Sequence, residues 1–172
     1  MEKHEAKINP TIGIITVSTS RWEEFGDVDD VSKIKELGDE SGKIIKNLSN
    51  FEVIEYRLVP DDEQRIVAAF KELLGKVDVI ITTGGTGIAP KDVTIEALEP
   101  LVDKKLDGFG EIFRMLSYKE VGTAAILSRA FAGVIDGKAL FCLPGSKKAV
   151  KLAMGLINPL IRHVITHARG LK

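Results

Sequence analysis

The sequence predicts an α/β fold built on a mostly parallel sheet with one antiparallel strand. Three observations lead there. Through the first two-thirds of the chain, apolar β-branched runs alternate with segments of helical period, the pattern of a parallel sheet with right-handed crossovers. Val77, Val79, Ile80 and Ile81 form a run that reads as a strand buried on both faces, and it breaks into Thr82-Thr83-Gly84-Gly85-Thr86-Gly87. Near the C-terminus, Asp136-Gly137 separates two apolar runs, a strong hairpin signal, so one strand must reverse.

The elements follow in order. Residues 12–18 read as the first buried strand, ending in the hydroxyl-rich Ser18-Thr19-Ser20-Arg21. Residues 21–38 are polar, with Asp27, Asp29, Asp30 and Lys33, and predict an irregular surface loop. Trp22 and Phe25 within it suit either lid contacts or a subunit interface. Asp39-Glu40-Ser41-Gly42 opens a helix to Leu48, with Ile44, Ile45 and Leu48 on one face. Residues 51–59 alternate as a second strand. In Pro60-Asp61-Asp62-Glu63-Gln64, Asp61 is placed to cap a helix and Gln64 to complete a capping box. Ile66, Ala69, Phe70, Leu73 and Leu74 continue it at helical spacing, and Gly75 stops it. Helices are expected over 94–101 and 106–116, the second with Phe109, Ile112, Phe113 and Leu116 on one stripe. Residues 130–135 and 138–143 form the hairpin. Pro144-Gly145-Ser146 then turns into a last helix over 147–167, whose apolar face carries Val150, Met154, Ile157, Leu160, Ile161 and Val164.

Composition bounds the function. The chain has 172 residues, 44% hydrophobic, which suits one domain over 10–172 after a short solvated arm at 1–9. A net charge of -1 argues against nucleic acid and anionic membrane as partners. No apolar run is long enough to span a bilayer, and the N-terminus lacks the apolar segment of a secretory signal. The single cysteine, Cys142, cannot form an internal disulfide, so a reducing cytoplasm is expected.

Ligands on such sheets bind beyond the carboxyl ends of the strands. Ser18, Asp61, Gly84, Gly85, Thr86, Gly87 and Gly145 all follow strand ends and should gather on one edge. The three glycines permit φ > 0 and close backbone approach, and with Thr82, Thr83 and Thr86 they suit an oxyanion such as phosphate. A tight structural turn is the alternative. The loop is neither a P-loop nor the dinucleotide fingerprint, because Gly-Lys-Ser/Thr and G-x-G-x-x-G are both absent. Asp61 and Asp92 lie near helix starts, where capping competes with Mg²⁺ coordination. Asp39 and Ser41 carry the same two readings. Ser146 and Lys147 suit a second phosphate at a helix start or a simple cap. His163 and His167 have zinc spacing but lack a third ligand, and read as basic residues favouring a helix C-terminus. Cys142, inside an apolar strand, reads as a small core residue.

The glycine run, followed by Pro90-Lys91-Asp92-Val93-Thr94, resembles the signature of molybdenum-cofactor biosynthesis proteins of the MoaB/MogA type, shared by the N-terminal domain of gephyrin. Collinear matches are Asp39-Glu40-Ser41-Gly42, Val59-Pro60-Asp61, Leu127-Ser128-Arg129, Ala132-Gly133 and Leu143-Pro144-Gly145-Ser146. Gly108-Phe109-Gly110-Glu111 with Met115-Leu116-Ser117 resembles the MoaB branch in particular. The resemblance runs from near residue 10 to the last helix. It implies a three-layer αβα sandwich, a homotrimer or hexamer, and adenylyl transfer from Mg-ATP to molybdopterin. The adenylylated product would pass to a MoeA-like protein that inserts molybdenum or tungsten. By position, Asp61 and Asp92 match the essential acids, Asp39, Ser41 and residues 84–87 match nucleotide contacts, and Pro144, Gly145 and Ser146 match the loop near the pterin. Three departures stand out: Thr19 follows Ser18 where many members have Asp, Ile95 replaces a frequent proline, and Lys147-Lys148 follow Ser146. Two other functions fit the same motifs, a non-catalytic molybdopterin carrier or scaffold and the related domain of larger nucleotide-hydrolysing proteins. The single-domain length argues against the second.

Overall fold

A computed structural model describes residues 7–171. Six strands form one sheet in the order β2-β1-β3-β6-β5-β4. They are β1 (Ile12–Val17), β2 (Val53–Val59), β3 (Val79–Thr83), β4 (Lys104–Lys105), β5 (Phe131–Ile135) and β6 (Lys138–Leu143). β1 pairs in parallel with β2 and β3, and β3 in parallel with β6. β5 runs against both β6 and β4, so it is the one reversed strand. Asp136 and Gly137 make its turn with φ of 50° and 69°, the left-handed pair that matches strand twist.

Strand alternation sorts the core into two layers. Ile12, Ile14, Val79, Ile81 and Phe141 face α2 (Glu40–Leu48), α5 (Asp107–Val121) and α6 (Lys147–Ala168). Ile15, Val17, Ile80, Leu140 and Cys142 face α3 (Glu63–Leu74) and α4 (Thr94–Leu98). The result is the three-layer αβα sandwich that the resemblance implied. Buried Cys142 is a core residue, and burial pushes its thiol up to about 12, out of reach of nucleophilic chemistry.

Several local expectations need correction. Residues 21–38 are not an irregular loop throughout: α1 spans Thr19–Phe25 and a 3-10 turn spans Val31–Lys33. α1 has no fully buried residue, so it carried no apolar stripe to read. Trp22 packs against the core and donates its indole N–H to Asp27 at 2.7 Å, while Phe25 is exposed. The central strand runs on through Thr82 and Thr83 rather than stopping before them. The cap of α3 is Asp62, which accepts from the Arg65 N–H, and not Asp61. Pro100 converts the end of the helix expected over 94–101 into a 3-10 turn at Glu99–Leu101. Leu48 and Ile112 face solvent rather than the core. Positions 1–6 of the expected arm lie outside the described residues. Beyond them, Ile8 packs on the core, and its carbonyl accepts from Arg162 Nε at 3.2 Å.

Candidate active site

In the sheet order, β2 lies on one side of β1 and β3 on the other, so β1/β3 is the switch point where ligands of open α/β sheets collect. The loops after β1, β2, β3 and β6 meet there through direct contacts. A Cβ added to Gly84 would sit 2.3 Å from the Val17 carbonyl oxygen, and one on Gly145 would sit 3.6 Å from the Gly84 Cα. Thr83 donates its hydroxyl to the Pro144 carbonyl at 2.9 Å, and Ser41 donates to the Gly145 carbonyl at 2.8 Å. The Gly84 N–H donates to the Leu143 carbonyl at 3.0 Å.

The glycine loop has a definite polarity. Its four carbonyls are all occupied: Gly84 by the Thr94 hydroxyl at 2.8 Å, Gly85 by the Thr94 N–H at 3.1 Å, Thr86 by the Arg129 N–H at 3.1 Å, and Gly87 by the Arg129 guanidinium at 2.7 and 3.0 Å. Among the described residues, the N–H groups of Gly85, Thr86 and Gly87 have no acceptor. Three successive N–H groups without acceptors, backed by satisfied carbonyls, are the kind of main-chain array that can take an anion. Gly84 and Gly85 adopt φ of 99° and 72°, which only glycine takes without strain.

Two carboxylates flank this loop. Asp61 Oδ2 accepts from the Thr19 hydroxyl at 2.7 Å and the Thr19 N–H at 3.2 Å, and its Oδ1 lies 3.5 Å from a Cβ position on Gly85. Asp92 Oδ2 accepts from the Ala89 N–H at 2.9 Å and lies 2.7 Å from a Cβ position on Gly87. Each therefore keeps Oδ1 without a partner among the described residues. Neither caps a helix, so the capping alternative falls away for both.

The remaining expected residues are placed differently. Asp39 is buried and its carboxylate is saturated, by the Thr16 hydroxyl at 2.6 Å, the Tyr56 hydroxyl at 2.8 Å and the Gly42 N–H at 2.9 Å. It caps α2 and thereby holds Ser41 against the Gly145 loop. The same burial and the adjacent Asp39 charge drive the Tyr56 phenol upward, fixing it as a donor. Ser18 and Thr83 stand at the strand ends, Thr83 buried with its hydroxyl committed to Pro144. Ser146 caps α6 through the Ala149 N–H, and Lys147 is exposed at the first turn of that helix.

Sequence reasoning missed two supports of this edge. One is Arg129, which also reaches the Asp92 carbonyl at 3.1 Å and pairs with Glu96. The other is Thr19. Its prior signals were its place in the hydroxyl-rich tip after the first strand and the departure from the pattern of the resemblance, and Arg129's was its place in the Leu127-Ser128-Arg129 match. His163 and His167 lie 4.4 Å apart, ring to ring, beside a cavity of about 550 Å³ that Lys104, Val134 and Gly137 also line. No residue of the glycine loop lines it. Among the described residues, no group of three histidine, cysteine or acidic side chains could hold a metal, so the zinc reading has no third ligand.

The model of a family described as "Probable molybdopterin binding domain" matches residues 13–163. A relative from Methanocaldococcus jannaschii named "Probable molybdopterin adenylyltransferase" is 42% identical over 96% of this chain and 98% of its own. A "Molybdopterin adenylyltransferase" from Pyrococcus furiosus is 42% identical over 98% of each chain. The solved structure of the "tungsten cofactor synthesizing protein MoaB" from Pyrococcus furiosus superimposes with a TM-score of 0.78 at 40% identity, covering 95% of this chain and 99% of the other. This chain belongs to the molybdenum-cofactor biosynthesis family whose shared unit is that molybdopterin-binding domain.

Proposed function

We propose that residues 10–172 form a molybdopterin adenylyltransferase, which moves AMP from ATP to the terminal phosphate of molybdopterin and releases pyrophosphate. The observation that carries this reading is the row of free N–H groups on Gly85, Thr86 and Gly87 between the unpartnered Oδ1 atoms of Asp61 and Asp92. The names of the two 42% identical relatives support it.

The attacking phosphate is already anionic near neutral pH, so no general base is required. A bond forms from its oxygen to the α-phosphorus of ATP, and the bond from that phosphorus to the bridging oxygen of pyrophosphate breaks. The demand is to align two anions and stabilise the leaving charge. The N–H groups of Gly85, Thr86 and Gly87 would hold the nucleotide phosphates. Lys147, the capped start of α6 and the Pro144-Gly145-Ser146 loop would receive the pterin phosphate, with Ser18 between the two. Asp39, Ser41 and Thr83 act by holding those loops. The donor set fits Mg²⁺: it is all oxygen, and two carboxylates without a third leave positions for phosphates and water. Asp61 and Asp92 would hold the ion, which when bound neutralises phosphate charge.

The wider reading is a cytoplasmic homo-oligomer, trimer or hexamer, that passes its product to a MoeA-like molybdenum- or tungsten-insertion protein. Ile112, Met115, Tyr118 and Val121 expose a stripe along α5, continued by Ile126 and Leu127, and another copy of the chain would cover it. None of the described helices is long and apolar enough to cross a membrane. Incubating the pure protein with Mg-ATP and molybdopterin tests the central reaction. Stoichiometric pyrophosphate and AMP-linked molybdopterin are expected. Tight molybdopterin binding without pyrophosphate release would make the protein a carrier instead.

A further inference from the structure

Thr19, the first residue of α1, closes a reciprocal pair with Asp61. Its hydroxyl donates to Asp61 Oδ2 at 2.7 Å, its N–H donates to the same oxygen at 3.2 Å, and its Oγ1 accepts from the Asp61 N–H at 3.0 Å. Thr19 is thus bound to both the carboxylate and the main chain of Asp61. Its own chain is anchored one residue earlier, where the Ser18 N–H donates to the Val59 carbonyl at 2.9 Å. An aspartate on a loop otherwise rotates freely about two side-chain bonds. Here one oxygen is fixed, and the other is left facing the Gly85 backbone, 3.5 Å from its Cβ position.

We propose that Thr19 is a positioning residue for metal–nucleotide binding: it holds the Asp61 carboxylate so that Oδ1 is presented to the phosphate loop. The inference rests on the adenylyl-transfer reading in one respect, that Asp61 is a metal ligand. A group that orients a metal-binding carboxylate changes metal affinity when removed, even though it touches neither metal nor substrate. A residue that only stabilised the β1–α1 turn would change melting temperature and leave metal affinity alone.

The test compares Thr19→Val, which removes donor and acceptor at nearly constant volume, with Thr19→Ser, which keeps both. Mn²⁺ serves as the probe, in the presence of a non-hydrolysable ATP analogue, with free Mn²⁺ read by electron paramagnetic resonance. Thr19→Val should weaken Mn²⁺ binding by about 10-fold or more, and Thr19→Ser should stay within about twofold of the parent. In turnover assays, the Mg²⁺ concentration at half-maximal rate should rise for Thr19→Val, with most of kcat recovered at saturating Mg²⁺. Should the valine variant not fold, Thr19→Ala gives the same contrast with Thr19→Ser. Unchanged Mn²⁺ affinity in Thr19→Val, with affinity lost in Asp61→Asn, would overturn the role of Thr19 alone. Unchanged affinity in Asp61→Asn would instead remove Asp61 as a ligand, and the proposal for Thr19 with it.

Discussion

Asp92 spends Oδ2, the oxygen nearer Gly87, on the Ala89 N–H and keeps Oδ1 free, 4.0 Å from the Gly87 Cβ position. Asparagine can still accept from Ala89 but offers no charge. Asp92→Asn should therefore melt close to the parent while its pyrophosphate release falls by about 100-fold or more, the usual size of a lost electrostatic contact. A folded variant of unchanged rate would exclude Asp92. Gly84→Ala is expected to fail differently, because its Cβ would meet the Val17 carbonyl at 2.3 Å in a φ of 99°. Strain of about 1–3 kcal/mol, plus the clash, should appear as a lower urea midpoint. The glycine loop was legible in the sequence because spacing and residue type are local signals. Arg129 and Thr19 were not, because their partners Gly87 and Asp61 each lie 42 residues away. Asp39 was legible as a cap, but its burial depends on Tyr56 from the neighbouring strand, which no local pattern shows.

At the level of elements, two adjacent aspartates at the start of α3 divide the work. Asp62 caps the helix, and Asp61 is turned to Thr19. Asp62→Ala should cost about 1 kcal/mol in denaturant unfolding and leave turnover per folded molecule intact. Asp61→Asn should do the reverse. Strands and amphipathic helices were readable because burial imposes their periods. α1 was hidden by having no buried residue, and β4 by being two lysines long. Asp78 shows how an edge is tied together. Burial works to raise its carboxyl, but Arg169 together with the Thr11 N–H and hydroxyl holds it below the ordinary range. A depressed carboxyl stabilises the fold above its unfolded pKa and loses that contribution as pH falls through the folded value. Asp78→Asn should thus be less stable than the parent at neutral pH. The gap should narrow as urea unfolding is repeated below about pH 4.

Across the whole molecule, the parallel strands point their carboxyl ends at one edge, and the loops there are bonded to one another. The opposite end of the sheet holds the hairpin turn and the histidine pair. The apolar stripe on α5 is the feature a single chain leaves unexplained, with Met115 and Tyr118 58% and 56% exposed. Met115→Glu combined with Tyr118→Glu should yield monomers by light scattering, and an unchanged oligomer would place the interface elsewhere. The measurement closest to the central claim is a crystal structure with Mg²⁺ and a non-hydrolysable ATP analogue. The triphosphate should lie on the N–H groups of Gly85, Thr86 and Gly87, with the metal between Asp61 and Asp92. A nucleotide seated elsewhere, such as the cavity beside His163 and His167, with that loop bare, would contradict it.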